Sequence, residues 1–360
     1  MSVSRRSIVA TLTALAGGSL LARGALIAKA EEQAIPTYEV NLGELRKAFP
    51  THSGSTSLPP LLGSFGTWLR GKPWRSVGSF DLALQWSDSG FPGGELHYDE
   101  FALVIRLPDG SVAGYWLAGG DVADAPIVLF GSEGQREVLA PDLATLIARI
   151  ALGDFSDRGA TSDFRYSDED YGQGVAPDLR PALQTFVRAE TGIDDLATLV
   201  GKAKPLRSDF GEWVARTTDA YTADMLAHPD MRAIAAILDK YRPAQAEAWR
   251  VTAINIRWAG PSFDAWLTLA AKDPFAEAEA IKPHLAALRD EAAAKKPGIG
   301  LWHRAMLMVY ADHVWLSPDY IYEPDFRSGR PPAEAFKADQ ARAPREARRI
   351  PAWLAAILGS

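Results

Sequence analysis

Hydrophobic and polar positions change their period several times along this chain, and each change predicts an element. Leu61, Leu62, Phe65 and Leu69 fall on one helical stripe. Between Ser79 and Trp86 the period drops to two, with Phe80, Leu82, Leu84 and Trp86 on one side of a half-buried strand. Phe101, Leu103, Ile105 and Leu107 alternate again. Pro108-Asp109-Gly110 then turns the chain, and Val112, Gly114 and Trp116 return, which predicts a hairpin. Ile127-Val128-Leu129-Phe130 is continuously apolar, as in a strand covered on both faces. Gly131-Ser132-Glu133-Gly134 reads as a tight turn with glycines at positive φ, and Glu137–Ala140 as the returning strand. Asp142 is placed to cap a helix carrying Leu143, Leu146, Ile147 and Ile150 on one face. A hairpin with a helix folded back on it is an α+β unit.

Beyond this unit the pattern changes. Residues 153–180 are acidic, Gly-rich and aperiodic, and predict a linker or surface loop. From about Pro181 the spacing reads as helices near 181–190, 193–200, 209–227, 230–241, 244–258, 263–272, 275–294 and 299–316, punctuated by prolines. "GLWHRAMLMVYADHVWL" is apolar nearly all round and predicts a buried helix. The expected organisation is therefore a leader at 31–57, an α+β domain at 58–152, the linker, an all-α half at 181–322, and a Pro/Arg-rich tail at 323–360 with a short terminal helix.

The first thirty residues read as a targeting segment. Arg5-Arg6 precede an apolar run, Ile8 to Leu21, that is too short and too rich in small residues for a stable span. Ala28-Lys29-Ala30 has the form of a signal-peptidase site, and the paired arginines resemble a twin-arginine (Tat) signal, although Ser7-Ile8-Val9-Ala10 departs from the usual continuation. Export to the periplasm is expected if the signal works, and a cytoplasmic location if it does not. Cleavage after Ala30 would leave 34 basic and 45 acidic residues, a net charge of −11. That balance argues against a nucleic-acid binder, and an acidic surface would attract a basic protein. Apolar residues make up 47% of the chain, enough for a real core, and the eleven tryptophans should fill much of it.

Candidate chemistry is thin. Without cysteine there is no thiolate, disulfide or Cys-bound zinc. Ser132 is one residue out of a nucleophile-elbow pattern and sits between strands, so it reads as a turn residue. The six histidines, His52, His97, His228, His284, His303 and His313, form no metal-binding spacing and read as buried or helix-end residues. Asp168, Glu169 and Asp170 lack the glycine and closing glutamate of a calcium loop. No metal and no cofactor is expected. Trp68, Trp74, Trp86, Tyr98, Tyr115 and Trp116 could line a carbohydrate or peptide groove, although such residues are more often core.

"FALVIRLPDGSVAGYWLAGG" followed by "APIVLFGSEGQREVLAPDLATLIARIAL" resembles the core of SUKH-superfamily domains, which include fungal cell-wall-assembly regulators and bacterial toxin-immunity proteins. The matching features are Leu107-Pro108-Asp109-Gly110, Tyr115-Trp116, the turn at 131–134 and the capped helix; the likeness spans about residues 58–152. It implies a mixed, mainly antiparallel sheet with flanking helices and a non-catalytic protein-binding role, of which an immunity-type inhibitor of a basic toxin domain is one form. The binding residues so singled out are Trp86, Tyr98, Glu100, Tyr115, Trp116 and Glu133. Two alternatives stand beside it: a periplasmic hydrolase using Glu95, Asp99, Glu100 or Asp121 in an aromatic cleft, and a helical-repeat scaffold.

Overall fold

A computed structural model describes residues 35–49, 58–85, 100–117, 122–155, 160–167, 176–201, 209–245, 250–268 and 275–359. The targeting segment and the acidic triplet 168–170 lie outside them. The described residues form two lobes, each built on its own antiparallel sheet.

The first lobe begins with helices α1 (Leu42–Arg46) and α2 (Pro60–Leu69). Its sheet runs in sequence order through β1 (Asp81–Leu82), β2 (Phe101–Arg106), β3 (Val112–Trp116), β4 (Ile127–Phe130) and β5 (Arg136–Ala140). Every pairing is antiparallel, so the mixed sheet implied by the resemblance is absent among the described residues. Helix α3 (Leu143–Leu152) follows; Asp142 accepts the Thr145 N–H at 2.7 Å, and Gly153 closes the other end with φ 72°. Helices α4 (Arg180–Thr191) and α5 (Leu196–Gly201) pack behind it.

Both faces of this sheet are covered. Ala113, Tyr115, Ile127 and Leu129 join the core under α2, α3 and α4, which also contains Tyr38, Val40 and Leu45 from the leader. Val112, Trp116, Val128 and Phe130 face the other way, against Phe210 and Val214. The continuous apolar run in β4 has its expected cause. The alternation expected in β2 is broken by a bulge between Leu103 and Ile105, so Phe101 and Leu103 face one core while Ile105 and Leu107 face the other. Gly114 lies opposite Leu103, where a Cβ would stand 2.1 Å from the Ala102 carbonyl oxygen; only glycine fits beside the bulge. At the 131–134 turn, Gly134 has φ 91°, whereas Gly131 is held to glycine by crowding against Gln135 rather than by positive φ.

Helix α6 (Phe210–Ala227) joins the lobes. Phe210 and Val214 pack on the first sheet, while Tyr221 and Met225 reach the second lobe. At 1.5 Å per residue its eighteen residues span about 27 Å. Helix α7 (Pro229–Ile237) follows directly.

The second half is not all-α. It holds a four-stranded antiparallel sheet of β6 (Thr252–Ala259), β7 (Ser262–Leu267), β8 (Arg304–Val309) and β9 (Val314–Asp319), in the order β7-β6-β8-β9. The helices expected at 244–258, 263–272 and 299–316 are replaced by these strands. Helix α8 (Ala278–Lys295) and α7 cover one face, with Ile254, Ile256, Leu307 and Leu316 beneath them. Helices α9 (Ala333–Arg342) and α10 (Ala352–Leu358) close one end through Phe336 and Leu354 on Ala259. A stack of helices with a concave surface, as a repeat scaffold needs, is therefore not what this half forms. Among the described residues no helix is long and apolar enough to cross a membrane.

Candidate binding site at the edge of the second sheet

The residues singled out in the first lobe do not converge. Trp86 and Tyr98 lie outside the described residues, as do Glu95, Asp99 and Asp121 of the hydrolase alternative. Tyr115 and Trp116 are 2% and 1% exposed, on opposite faces of β3, and present no surface to a partner. Burial, with the Asp142 charge behind it, pushes the Tyr115 hydroxyl far above the usual phenol range. Glu100 stands at the entry to β2, where its carbonyl accepts the Leu117 N–H at 2.7 Å. Glu133 is exposed at the turn tip, remote in register from β3's buried aromatics. Ser132 donates its hydroxyl to Asp109 at 3.2 Å, and the same carboxylate accepts the Ser111 N–H and hydroxyl. Three donors on one carboxylate tie the two turns together, and no histidine is within that set.

Two histidines of the second lobe, His303 and His228, are likewise bonded within the fold. His303 is 3% exposed and donates from Nδ1 to the Trp258 carbonyl at 3.0 Å. Burial, then the charges of Arg345 and Arg289, pull its pKa down to about 3, so the ring stays neutral. Beside it Arg289 bonds Asp339 at 2.8 Å and the Trp302 carbonyl at 2.8 Å, its guanidinium within reach of both the Trp258 and Trp302 rings. Asp339 also accepts the Gly260 N–H at 3.0 Å. This dry network pins α9 and α8 to the sheet. His228 caps α7: its Nδ1 accepts the Asp230 N–H at 3.2 Å, which leaves the proton on Nε2, donated to Glu291 at 2.7 Å. Neither ring nitrogen is left to take a proton from a substrate. No cluster of three metal-ligating side chains occurs among the described residues.

Among the described residues, one open region lies around β9. The face of the second sheet turned away from α7 and α8 carries Ala253 and Asn255 of β6, Met306 and Met308 of β8, and Trp315 of β9. All five are half-buried, and Val251 just before β6 is 41% exposed. Toward α9 the same face is covered: Arg257 pairs with Asp325, and Asp264 accepts the Arg327 and Ser328 N–H groups. Pro318 in β9 suits an edge strand, since it has no N–H to offer a further strand.

Trp315 meets Tyr221 edge-on, with centroids 5.5 Å apart, and Tyr221 also lines a cavity of about 250 Å³ between α6, α8 and β9. The floor is apolar: Met225, Leu288, Trp302, Leu316 and Pro318. The rim carries Asp224, His228, Glu291 and Lys295. Both Glu291 oxygens are engaged, one with Lys295 at 2.7 Å and one with His228, and those bonds hold its carboxyl below the usual range.

Sequence reasoning did not select these residues. The one signal for the second sheet was the period of two in "TAINIRW", with Ile254, Ile256 and Trp258 on one side. Read as strands, Met306, Met308 and Trp315 would have stood out as apolar residues on the face away from the helices. Compared with protein-family models, with curated proteins and with solved structures, the chain matches none.

Proposed function

We propose that this protein is a non-catalytic binding protein of the cell envelope, of the SUKH type, that captures a basic protein partner; an immunity-type inhibitor of a toxin domain is the form that fits best. The observation carrying this reading is the contrast in polar use. His228, His303 and Asp339 are bonded within the fold, while an apolar sheet face with Met306, Met308 and Trp315 is left partly open. Half-buried methionines adapt to a partner's contour, and a tryptophan supplies the large anchor that interface centres favour. The chain's net charge of −7 supports electrostatic capture.

The first lobe acts as scaffold in this reading. Its sheet is filled on both sides, and through α6 it fixes the Tyr221 side of the open face. The test is affinity capture with the full chain against envelope extract. A basic protein should be retained at low salt, released as salt rises, and lost with Met308→Ala/Trp315→Ala. Capture that ignores both salt and this double substitution would remove the basis for the assignment.

A further inference from the structure

The cavity between α6, α8 and β9 has an electrostatic imbalance that its own side chains do not correct. Asp224 is exposed at the rim and makes no ion pair among the described residues. It also lies in the last turn of α6, where no basic residue stands. Lys295 does not offset it, because that ammonium is held by Glu291 at 2.7 Å, and His228 is committed to the same carboxylate. Below this rim the walls are apolar and aromatic, through Met225, Leu288, Trp302 and Leu316. The volume, about 250 Å³, falls below the ~300–1,000 Å³ range typical of drug-sized ligands and suits one long side chain.

We infer that this cavity takes an alkyl chain ending in a cation, the chemistry of a lysine side chain, with the methylenes against Leu288 and Leu316 and the charge at Asp224. This rests on the reading of the protein as a binder of a basic partner and names the anchor that partner would insert. Apolar stem and charged tip are the two halves of a lysine, and the site supplies a surface for each.

The chain's own methionines report on it. There are five, and Met225 lines the cavity while Met306 and Met308 lie on the open sheet face. In full-length protein labelled with 13C at the methionine methyls, n-butylammonium and N-acetyl-lysine N-methylamide should shift the Met225 signal saturably. Butan-1-ol and butyrate at the same concentrations should not. Asp224→Asn should weaken the response about threefold, the scale of an ion pair at an exposed rim, with the other methyl signals unchanged to show the fold intact. An equal response to butan-1-ol, any stronger response to butyrate, no response at all, or indifference to Asp224→Asn each overturns the inference. A silent Met225 with a basic protein still captured condemns the cavity alone. A responsive Met225 with no partner captured condemns the binding role and leaves the cavity's chemistry standing.

Discussion

The two sheets are both antiparallel and both filled with large apolar residues, yet they are finished differently. The first is sandwiched, with α2, α3 and α4 on one face and α6 on the other. The second has helices on one face only, and its other face is capped at one end by α9 and α10. A residue such as Trp116 therefore contributes to cohesion, whereas its counterpart Trp315 is left half-exposed. In a chain where both sheets were purely structural, there would be no reason to cover one fully and leave methionines and a tryptophan showing on the other.

The largest effects should come from the covered parts. Trp116→Ala removes a side chain packed against Phe210 and Trp213, and should cost about 3–5 kcal/mol in chemical denaturation. A loss under about 1 kcal/mol would mean that α6 does not hold the first sheet as described. Asp339→Ala should match that scale, about 3–5 kcal/mol, because it strands the buried Arg289 guanidinium and the Gly260 N–H. Replacing the pair together, Arg289→Met with Asp339→Leu, should cost clearly less than Asp339→Ala alone, since no unpaired charge is left.

Acid should separate the lobes. The His303 ring has a folded pKa of about 3 against about 6.5 unfolded, so between those values only the unfolded chain takes the proton. Stability from this group is full at neutral pH and falls as pH drops below about 6.5, by about 2 kcal/mol from pH 7 to 5. Asp163 in the first lobe runs the other way. Burial, with Asp109 nearby, raises it to about 6, so its folded form holds a proton that the unfolded chain releases above about 4. Its contribution favours the fold at low pH and is lost as pH rises through 6; the group is only partly buried, so the effect is smaller than that of His303. Hydrogen exchange at pH 5 and pH 7, corrected for intrinsic rates, should show protection falling in β8 while the segment around Asp163 holds. Parallel losses in both lobes would break the contrast.

How far the sequence revealed all this differs between the lobes for a physical reason. In the first, turn chemistry was explicit: Pro108-Asp109-Gly110 and the 131–134 turn marked strand ends, and Asp142 marked the start of α3. The bulge at Leu103–Ile105 is hidden, because both faces of β2 are apolar and a slip between them leaves no trace in composition, and of the strand expected over 79–86 only Asp81–Leu82 pairs among the described residues. In the second lobe the turn between β8 and β9 is Tyr310-Ala311-Asp312-His313, with no glycine or proline. Met306 and Met308 on the outer face then blurred the alternation of Ala305, Leu307 and Val309 into a continuous apolar run. The feature that misled the helix reading is the one that marks the candidate surface. Apolar residues facing away from the core erase the period by which a half-buried strand is recognised.

The smallest expected effect on stability is also the most discriminating. Met306→Ser alters a half-buried side chain on the open face, with Asn255 and Ser317 as its cross-strand neighbours. Unfolding free energy should change by about 0.5 kcal/mol or less, as at ordinary surface positions. Partner retention should fall in the same protein, because the apolar methionine side chain that a partner would pack against is removed. If the face were instead an incidental consequence of packing, a serine there would leave retention untouched. A stability loss of several kcal/mol would mean that the face is covered and that both sheets are finished alike. Met306→Leu supplies the control: the volume and apolar character are kept, so retention should survive where the serine lowers it.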